Sequence, residues 1–180
     1  IVYFAICAIL VQAAILFSMY TRNMYKGRTN RSFIWLVYAT TFTTIFSYAS
    51  VRVTGDSKAI FSTAYYLMRN LNMPFYLIFI VAYTNLSYLF FKKRFSVALV
   101  NLPWIVVALI ILTNPLHKMF FYLDADSVPI RGPLIYTEYA VAVFYIVIGT
   151  LYLCWCRRFL QRRKFFSILA MIPLNLAAVA

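Results

Sequence analysis

The strongest constraint on this chain is a succession of apolar stretches, each near the length of a bilayer crossing, joined by short connections rich in basic residues. A helix needs about 20 predominantly apolar residues to cross a bilayer. Such stretches lie at about 1–20, 32–53, 70–91, 96–113 and 134–156, with an incomplete one at 165–180. The runs are continuously apolar instead of alternating every second residue, which predicts helices and excludes a barrel. Composition agrees: 64% of residues are hydrophobic and 12% charged, against about 25% charged in a soluble domain. The expected fold class is therefore all-α: a polytopic transmembrane bundle of five full spans and part of a sixth. It would be a single membrane-embedded domain over residues 1–180.

The net charge of +13 would suit nucleic acid only if it formed a stripe on one polar face. It forms short clusters instead. Arg22, Lys26, Arg28 and Arg31 follow the first stretch, Lys92, Lys93 and Arg94 the third, and Arg157, Arg158, Arg162, Arg163 and Lys164 the fifth. These twelve of the 17 basic residues fall in alternate connections, which the positive-inside rule places in the cytoplasm. The four acids, Asp56, Asp124, Asp126 and Glu138, fall in or beside the other connections. The first span would then run from outside to inside. Because the chain opens and closes within apolar runs, a longer protein with a seventh span is expected. A signal peptide fits residues 1–20 poorly, since the positive charges follow the apolar region.

Chemistry-bearing motifs are few. With 4 Gly, neither a P-loop nor a GxGxxG segment occurs. No acid pair lies within a span, and no HExxH or motif-placed Ser–His pair exists, so no catalytic residues are assigned and the chain is not expected to be an enzyme. His117 is the only histidine and lacks the neighbours of a zinc site. Cys7, Cys154 and Cys156 lie in or at the ends of spans and read as free thiols. Neither a metal nor a cofactor is expected.

Polar residues within the spans read mainly as structure. Thr40, Thr44 and Ser47 share one helix face and suit helix–helix packing. Asn101 beside Pro103, and Asn175 beside Pro173, could each satisfy a carbonyl that the proline releases. Asn85 and Ser87 are similar cases. The outer ends are richer. Arg52 closes the second span, Arg69, Asn70 and Asn72 open the third, and Glu138 enters the fifth. Arg69 or Arg52 is expected to pair with Glu138, because a lone Glu near lipid needs a partner. Tyr65, Tyr66, Tyr76, Tyr136 and Tyr139 lie near this level, where an aromatic belt is expected. Pro115, Pro129, Gly132 and Pro133 favour turns and interrupted structure in the external segment from Thr113 to Pro133.

One set of segments resembles a known family. Leu102-Pro103-Trp104, then Thr113-Asn114-Pro115-Leu116-His117-Lys118-Met119-Phe120-Phe121-Tyr122, is similar to the "TN..H..F" segment of bacterial seven-helix sensor regions. Those regions stand at the N-terminus of membrane histidine kinases and GGDEF-type diguanylate cyclases. Gly132-Pro133-Leu134-Ile135-Tyr136 resembles the family's re-entry into the membrane. Tyr25-Lys26-Gly27-Arg28-Thr29-Asn30-Arg31-Ser32-Phe33 resembles the Firmicutes cyclase version.

The resemblance implies a sensory module in a bacterial cell membrane, detecting a small external or membrane-borne ligand for a cytoplasmic kinase or cyclase. The expected partners are the lipid bilayer, an unidentified small-molecule ligand, an effector domain in cis or trans, and a second copy in a homodimer; nucleic acid is not among them. Ligand contacts are expected from Arg69, Asn72, Tyr76, Asn114, His117, Tyr136 and Glu138, with Asn114 and His117 hydrogen-bonded to each other across the Pro115 turn. The alternative from another class is a small multi-span transporter or channel subunit, favoured by prolines within spans. A purely structural membrane subunit is a third reading.

Overall fold

The computed structural model describes residues 2–23, 26–84, 94–124, 128–160, 162, 165 and 166. Five long helices are present among them: α1 (Val2–Thr21), α2 (Arg28–Arg52), α3 (Asp56–Tyr83), α4 (Arg94–Leu112) and, after the short α5 (Asn114–His117) and a hairpin, α6 (Ile135–Cys156). The hairpin joins β1 (Phe121–Leu123) to β2 (Pro129–Arg131) in antiparallel register, with Phe121 opposite Arg131 and Leu123 opposite Pro129. A single 3-10 turn, Arg157–Phe159, follows α6.

Side-chain contacts fix how the helices run. Phe46 meets Phe61, Asn72 meets Thr43, Trp35 stacks on Phe75, and Thr29 meets Ala82. Along these pairs α2 descends as α3 rises, so the two are antiparallel, joined by the three residues Val53, Thr54 and Gly55. Gly55 takes φ +69 in that turn, a backbone region costly for any residue with a Cβ. Between α3 and α6 the pairs are Arg69 with Glu138, Ile80 with Gly149, and Thr84 with Tyr152. Both helices advance together, so they are parallel and in register. At Gly149 an added Cβ would sit 3.0 Å from Ile80 Cδ1, and the missing side chain is what lets α3 and α6 approach there.

Two apolar clusters build the interior. The larger joins Met73, Tyr76, Leu77 and Ile80 of α3 to Val100 of α4 and Tyr145, Tyr152 and Leu153 of α6. The smaller joins Tyr66, Val107, Ile111 and Ile135 to Phe120 and Phe121 beside the hairpin. The outward faces are equally apolar. On α6, Val143, Phe144, Val147, Leu151 and Trp155 are exposed opposite the buried Ala142, Tyr145, Gly149 and Leu153. A helix apolar on both faces, with only one face packed on protein, has the character of a lipid-exposed span. By length and hydropathy, Arg28–Arg52 and Ile135–Cys156 qualify as membrane crossings among the described residues, while Ala5–Thr21 and Val100–Leu112 form shorter apolar helices. The sixth stretch lies almost wholly outside the described residues, as do Asn85, Ser87, Lys92, Lys93, Asp126, Arg163, Lys164 and Asn175.

Several expectations change. The third span was placed at 70–91; α3 begins earlier, at Asp56, and runs to Tyr83, while 85–91 lie outside the described residues. Its first 14 residues carry polar groups that depress a hydropathy average, yet they pack on α2. At 1.5 Å per residue, 28 residues span about 42 Å, about 12 Å more than a bilayer's hydrocarbon core. The α2–α3 turn lies at the hairpin end. In α2, Thr40 and Thr44 spend their hydroxyls on carbonyls of their own helix; it is Thr43 that accepts a bond from another helix, from Asn72 Nδ2 at 3.1 Å. Around Pro103, Asn101 Oδ1 accepts the Trp104 indole N–H at 3.0 Å. Carbonyls in that stretch also accept from neighbouring helices: Val100 from the Tyr145 hydroxyl at 2.6 Å, Trp104 from Asn70 Nδ2 at 2.9 Å. The segment from Thr113 to Pro133, expected to be external turns, contains the two strands as well.

Candidate functional site

The molecule has two unlike ends. One carries the α2–α3 turn, α5 and the hairpin. The other carries the α1–α2 connection and Arg157–Arg162, brought together because Thr29 reaches Ala82 and Thr84 reaches Tyr152. The basic clusters after α1 and after α6 thus share one end. Asp56, Asp124 and Glu138 belong to elements at the opposite, hairpin end.

At the hairpin end Arg69 faces Glu138, with Nε 3.5 Å from Oε1. The carboxylate belongs to the first turn of α6, where the unpaired backbone N–H groups favour negative charge. Glu138 is 3% exposed, and neither of its oxygens accepts a hydrogen bond among the described residues. Such a pair is held by geometry and sign, and losing one member leaves a buried charge unmatched. Arg69 has further company: Nη1 lies 3.4 Å from the Tyr65 hydroxyl, and its guanidinium carbon is 5.5 Å from the Tyr139 ring centroid. The Tyr139 hydroxyl accepts from Arg131 of β2 at 3.1 Å. A second cation thus borders the pair through one tyrosine. The expected pairing is realised by Arg69, whereas Arg52 is exposed and lies over the Tyr48 ring at 5.6 Å.

At the same end opens a cleft of about 450 Å3, walled by Ala59 and Thr63 of the first part of α3 and by Asn114, Lys118, Phe121 and Tyr122. Its far wall is built by Asn114. The side-chain oxygen accepts from the Phe120 and Phe121 N–H groups at 2.9 and 3.2 Å, and Nδ2 donates to the Phe121 carbonyl at 2.8 Å. The chain returns to Asn114 because Lys118 adopts a left-handed conformation, φ +54, ending α5 and reversing direction. Gly132 closes the hairpin against this turn: its N–H donates to the Phe120 carbonyl at 2.9 Å, and a Cβ there would overlap the Met119 carbonyl. Phe121 lines the cleft on one side and contacts Tyr66 on the other, ring centroids 5.3 Å apart. Tyr66 meets Tyr65 at 5.0 Å, and Tyr65 reaches Arg69. Cleft and ion pair are joined by a continuous run of aromatic contacts.

The seven residues expected to meet a ligand thus fall in different places. Asn114 lines the cleft, and Arg69 and Glu138 form the pair beneath it. Asn72 and Tyr76 lie deeper, Asn72 against Thr43 and Tyr76 beside Gly149. Tyr136 is 72% exposed on the outer face of α6, away from the cleft. His117 does not bond to Asn114: its Nδ1 accepts from the Met119 N–H at 3.0 Å, and its Nε2 lies 3.2 Å from the Ile110 carbonyl. The reversal at Lys118 brings Met119 over the imidazole, so His117 pins the turn. Of the tyrosines expected in an aromatic belt, Tyr66 and Tyr76 are buried. Thr63, Lys118, Tyr122 and Arg131 were not among the expected ligand contacts; the sequence sign was that Lys118 and Arg131 are cations of the same Thr113 to Pro133 segment that supplied Asn114 and His117.

This is a helical, membrane-type bundle with a built polar site at one end and a basic opposite end. The model of a family described as the N-terminal 7TM region of histidine kinase matches residues 2–180. The chain belongs to that family. It is accordingly a membrane sensory region, non-catalytic in itself, of the kind that serves a cytoplasmic effector domain. The match carries neither the GGDEF-type output nor the Firmicutes source suggested by the resemblance. No curated protein and no solved structure matches this histidine-kinase sensor region.

Proposed function

We propose that this sensor region binds a small amphipathic ligand in the cleft at the hairpin end and passes a change in α3–α6 packing to a kinase domain in the cytoplasm. The observation that carries this is the contact run from the cleft through Phe121, Tyr66 and Tyr65 to the buried Arg69–Glu138 pair. Lys118 offers the cleft a cation, while Phe121 and Tyr122 offer apolar and aromatic surface. This suits a ligand with an acidic or carbonyl group on an apolar body. A ligand shifts a conformational equilibrium only by binding its two states unequally. A wall that reaches the ion pair through packed rings gives ligand occupancy a route to such a difference. In this reading the hairpin end faces the exterior and the basic end the cytoplasm, in line with the positive-inside rule. Arg69, Glu138 and Asn114 serve the response; Asn72 and Tyr76 act at the α2–α3–α6 contact, His117 through the turn, and Tyr136 at the membrane interface.

The test uses the full-length protein in lipid vesicles, reading autophosphorylation of its kinase domain. Thr63→Trp fills the cleft without touching the pair, and Lys118→Glu reverses its charge. Both are expected to change output several-fold at unchanged membrane insertion. Unaltered output in both would sink the assignment of the cleft.

A further inference from the structure

The basic end holds a second built feature. α6 ends at Cys156, a single 3-10 turn carries Arg157–Phe159, and Leu160 is extended (φ -103, ψ 141). That break turns the chain so that Arg157, Arg158 and Arg162 surround one cavity of about 660 Å3, whose remaining walls are Leu160, Phe165 and Phe166. The guanidinium carbon of Arg157 lies 5.7 Å from the Phe165 ring centroid, which orients one cation along the wall. All three arginines are exposed. Among the described residues no carboxylate shares this end: Asp56, Asp124 and Glu138 all lie on elements of the hairpin end. Three planar cations around a concavity, with no acid to neutralise them, suit a phosphate group, whose oxygens match the guanidinium fork.

The apolar walls and their depth select the source of that phosphate. Trp155 is 61% exposed one position before the end of α6, and Leu151 is exposed one turn earlier on the same side. An exposed Trp at a span terminus marks the headgroup level, so the cavity opens where phosphates of a bilayer lie. The exposed Phe166 extends the apolar wall. A soluble phosphate would use the arginines and leave these walls in water, whereas a phospholipid uses both.

We propose that the cavity formed by Arg157, Arg158, Arg162, Leu160, Phe165 and Phe166 is a binding site for the phosphate headgroup of an anionic phospholipid. It sits where α6 leaves the membrane, so its occupant clamps the last turn of the helix that carries Glu138 at its other end. The site rests on the membrane character of the chain and not on the ligand reading of the cleft.

The test reads Trp155 fluorescence in the full-length protein with every other tryptophan, Trp35 and Trp104 among them, replaced by Phe, in phosphatidylcholine vesicles containing brominated phosphatidylglycerol or, separately, brominated phosphatidylcholine. Bromine quenches only at contact, so the ratio reports which lipid occupies the neighbourhood of Trp155. Preferential quenching by the anionic lipid is expected. It should be abolished in Arg157→Gln/Arg158→Gln/Arg162→Gln, which removes about a hundredfold of preference, and fall partly in Arg162→Gln alone, which lies beyond the end of α6 and leaves the bundle untouched. Arg22→Gln/Arg31→Gln removes charge from the same end and should leave the preference intact. Equal quenching by both lipids in the parent protein overturns the proposal, as does an equal loss in the Arg22/Arg31 variant, which would reduce the effect to the general field of the basic end. Inorganic phosphate at millimolar concentration should not displace the lipid; if it does, the cavity is a free-anion site and the lipid assignment fails.

Discussion

Charge is handled in opposite ways at the two ends of this bundle. At the hairpin end the Arg69–Glu138 pair is buried and matched, with Tyr65 and Tyr139 packed around it. At the basic end Arg157, Arg158 and Arg162 line an open cavity with no acid among the described residues nearby. A buried pair is sensitive to ångström changes in position, since each charge has lost its water and depends on the other. An exposed cluster of one sign responds to the composition and ionic strength of its surroundings. The pair therefore depends on packing, and the open cluster on what surrounds it.

The comparison is most easily broken at the pair. Glu138→Ala should destabilise the bundle by about 3–5 kcal/mol, because it strands Arg69 among buried side chains. Arg69→Leu/Glu138→Leu should recover much of that loss. Unfolding followed by circular dichroism in detergent, arranged as a double-mutant cycle, measures the coupling; additive effects would mean the two charges act independently. The same cycle on Arg157 and Arg158 should show no coupling.

Next in size is Asn114. Its amide makes three hydrogen bonds to the backbone of Phe120 and Phe121, so Asn114→Ala should cost about 2–3 kcal/mol. Asn114→Asp keeps both accepting bonds and should cost less. Proteolysis of the segment in vesicles would report the loosened hairpin, and a hairpin equally protected in Asn114→Ala would remove Asn114 as its anchor.

The smallest effect is expected at His117. Its imidazole bonds two backbone groups, the Met119 N–H and the Ile110 carbonyl, in a half-exposed turn, so His117→Ala should cost about 1–2 kcal/mol with insertion and expression intact. A loss as large as that of Asn114→Ala would show that turn and hairpin form one unit, which would sharpen the contrast with the basic end.

The helices were legible because an apolar run of crossing length has few other ways to satisfy its backbone in lipid. Pairing of Arg69 with Glu138 was legible because few charges lie at that depth. What escaped was set by the backbone path. The first 14 residues of α3 were missed because Ser57, Lys58, Ser62 and Thr63 lower any average, although one face packs on α2. The hairpin strands, three residues each, are too short for a period-2 pattern to declare itself. Asn114 was given the wrong hydrogen-bond partner, since no spacing rule announces a lysine in the left-handed region. Arg131 became part of the site only because the strand register sets it opposite Phe121 and a turn away from Tyr139.

The cross-helix bonds near Pro103 bear on how this chain is made. Val100 receives its hydroxyl from Tyr145, and Trp104 its amide from Asn70. The second partner is already synthesised when α4 emerges from the ribosome; the first comes 45 residues later, about 2–9 s at ordinary rates of translation. During that interval α4 can dock on α3 but lacks its link to α6. Biogenesis thus has a built-in order, in which the arrival of α6 closes the bundle and sets Glu138 against Arg69 in the same event.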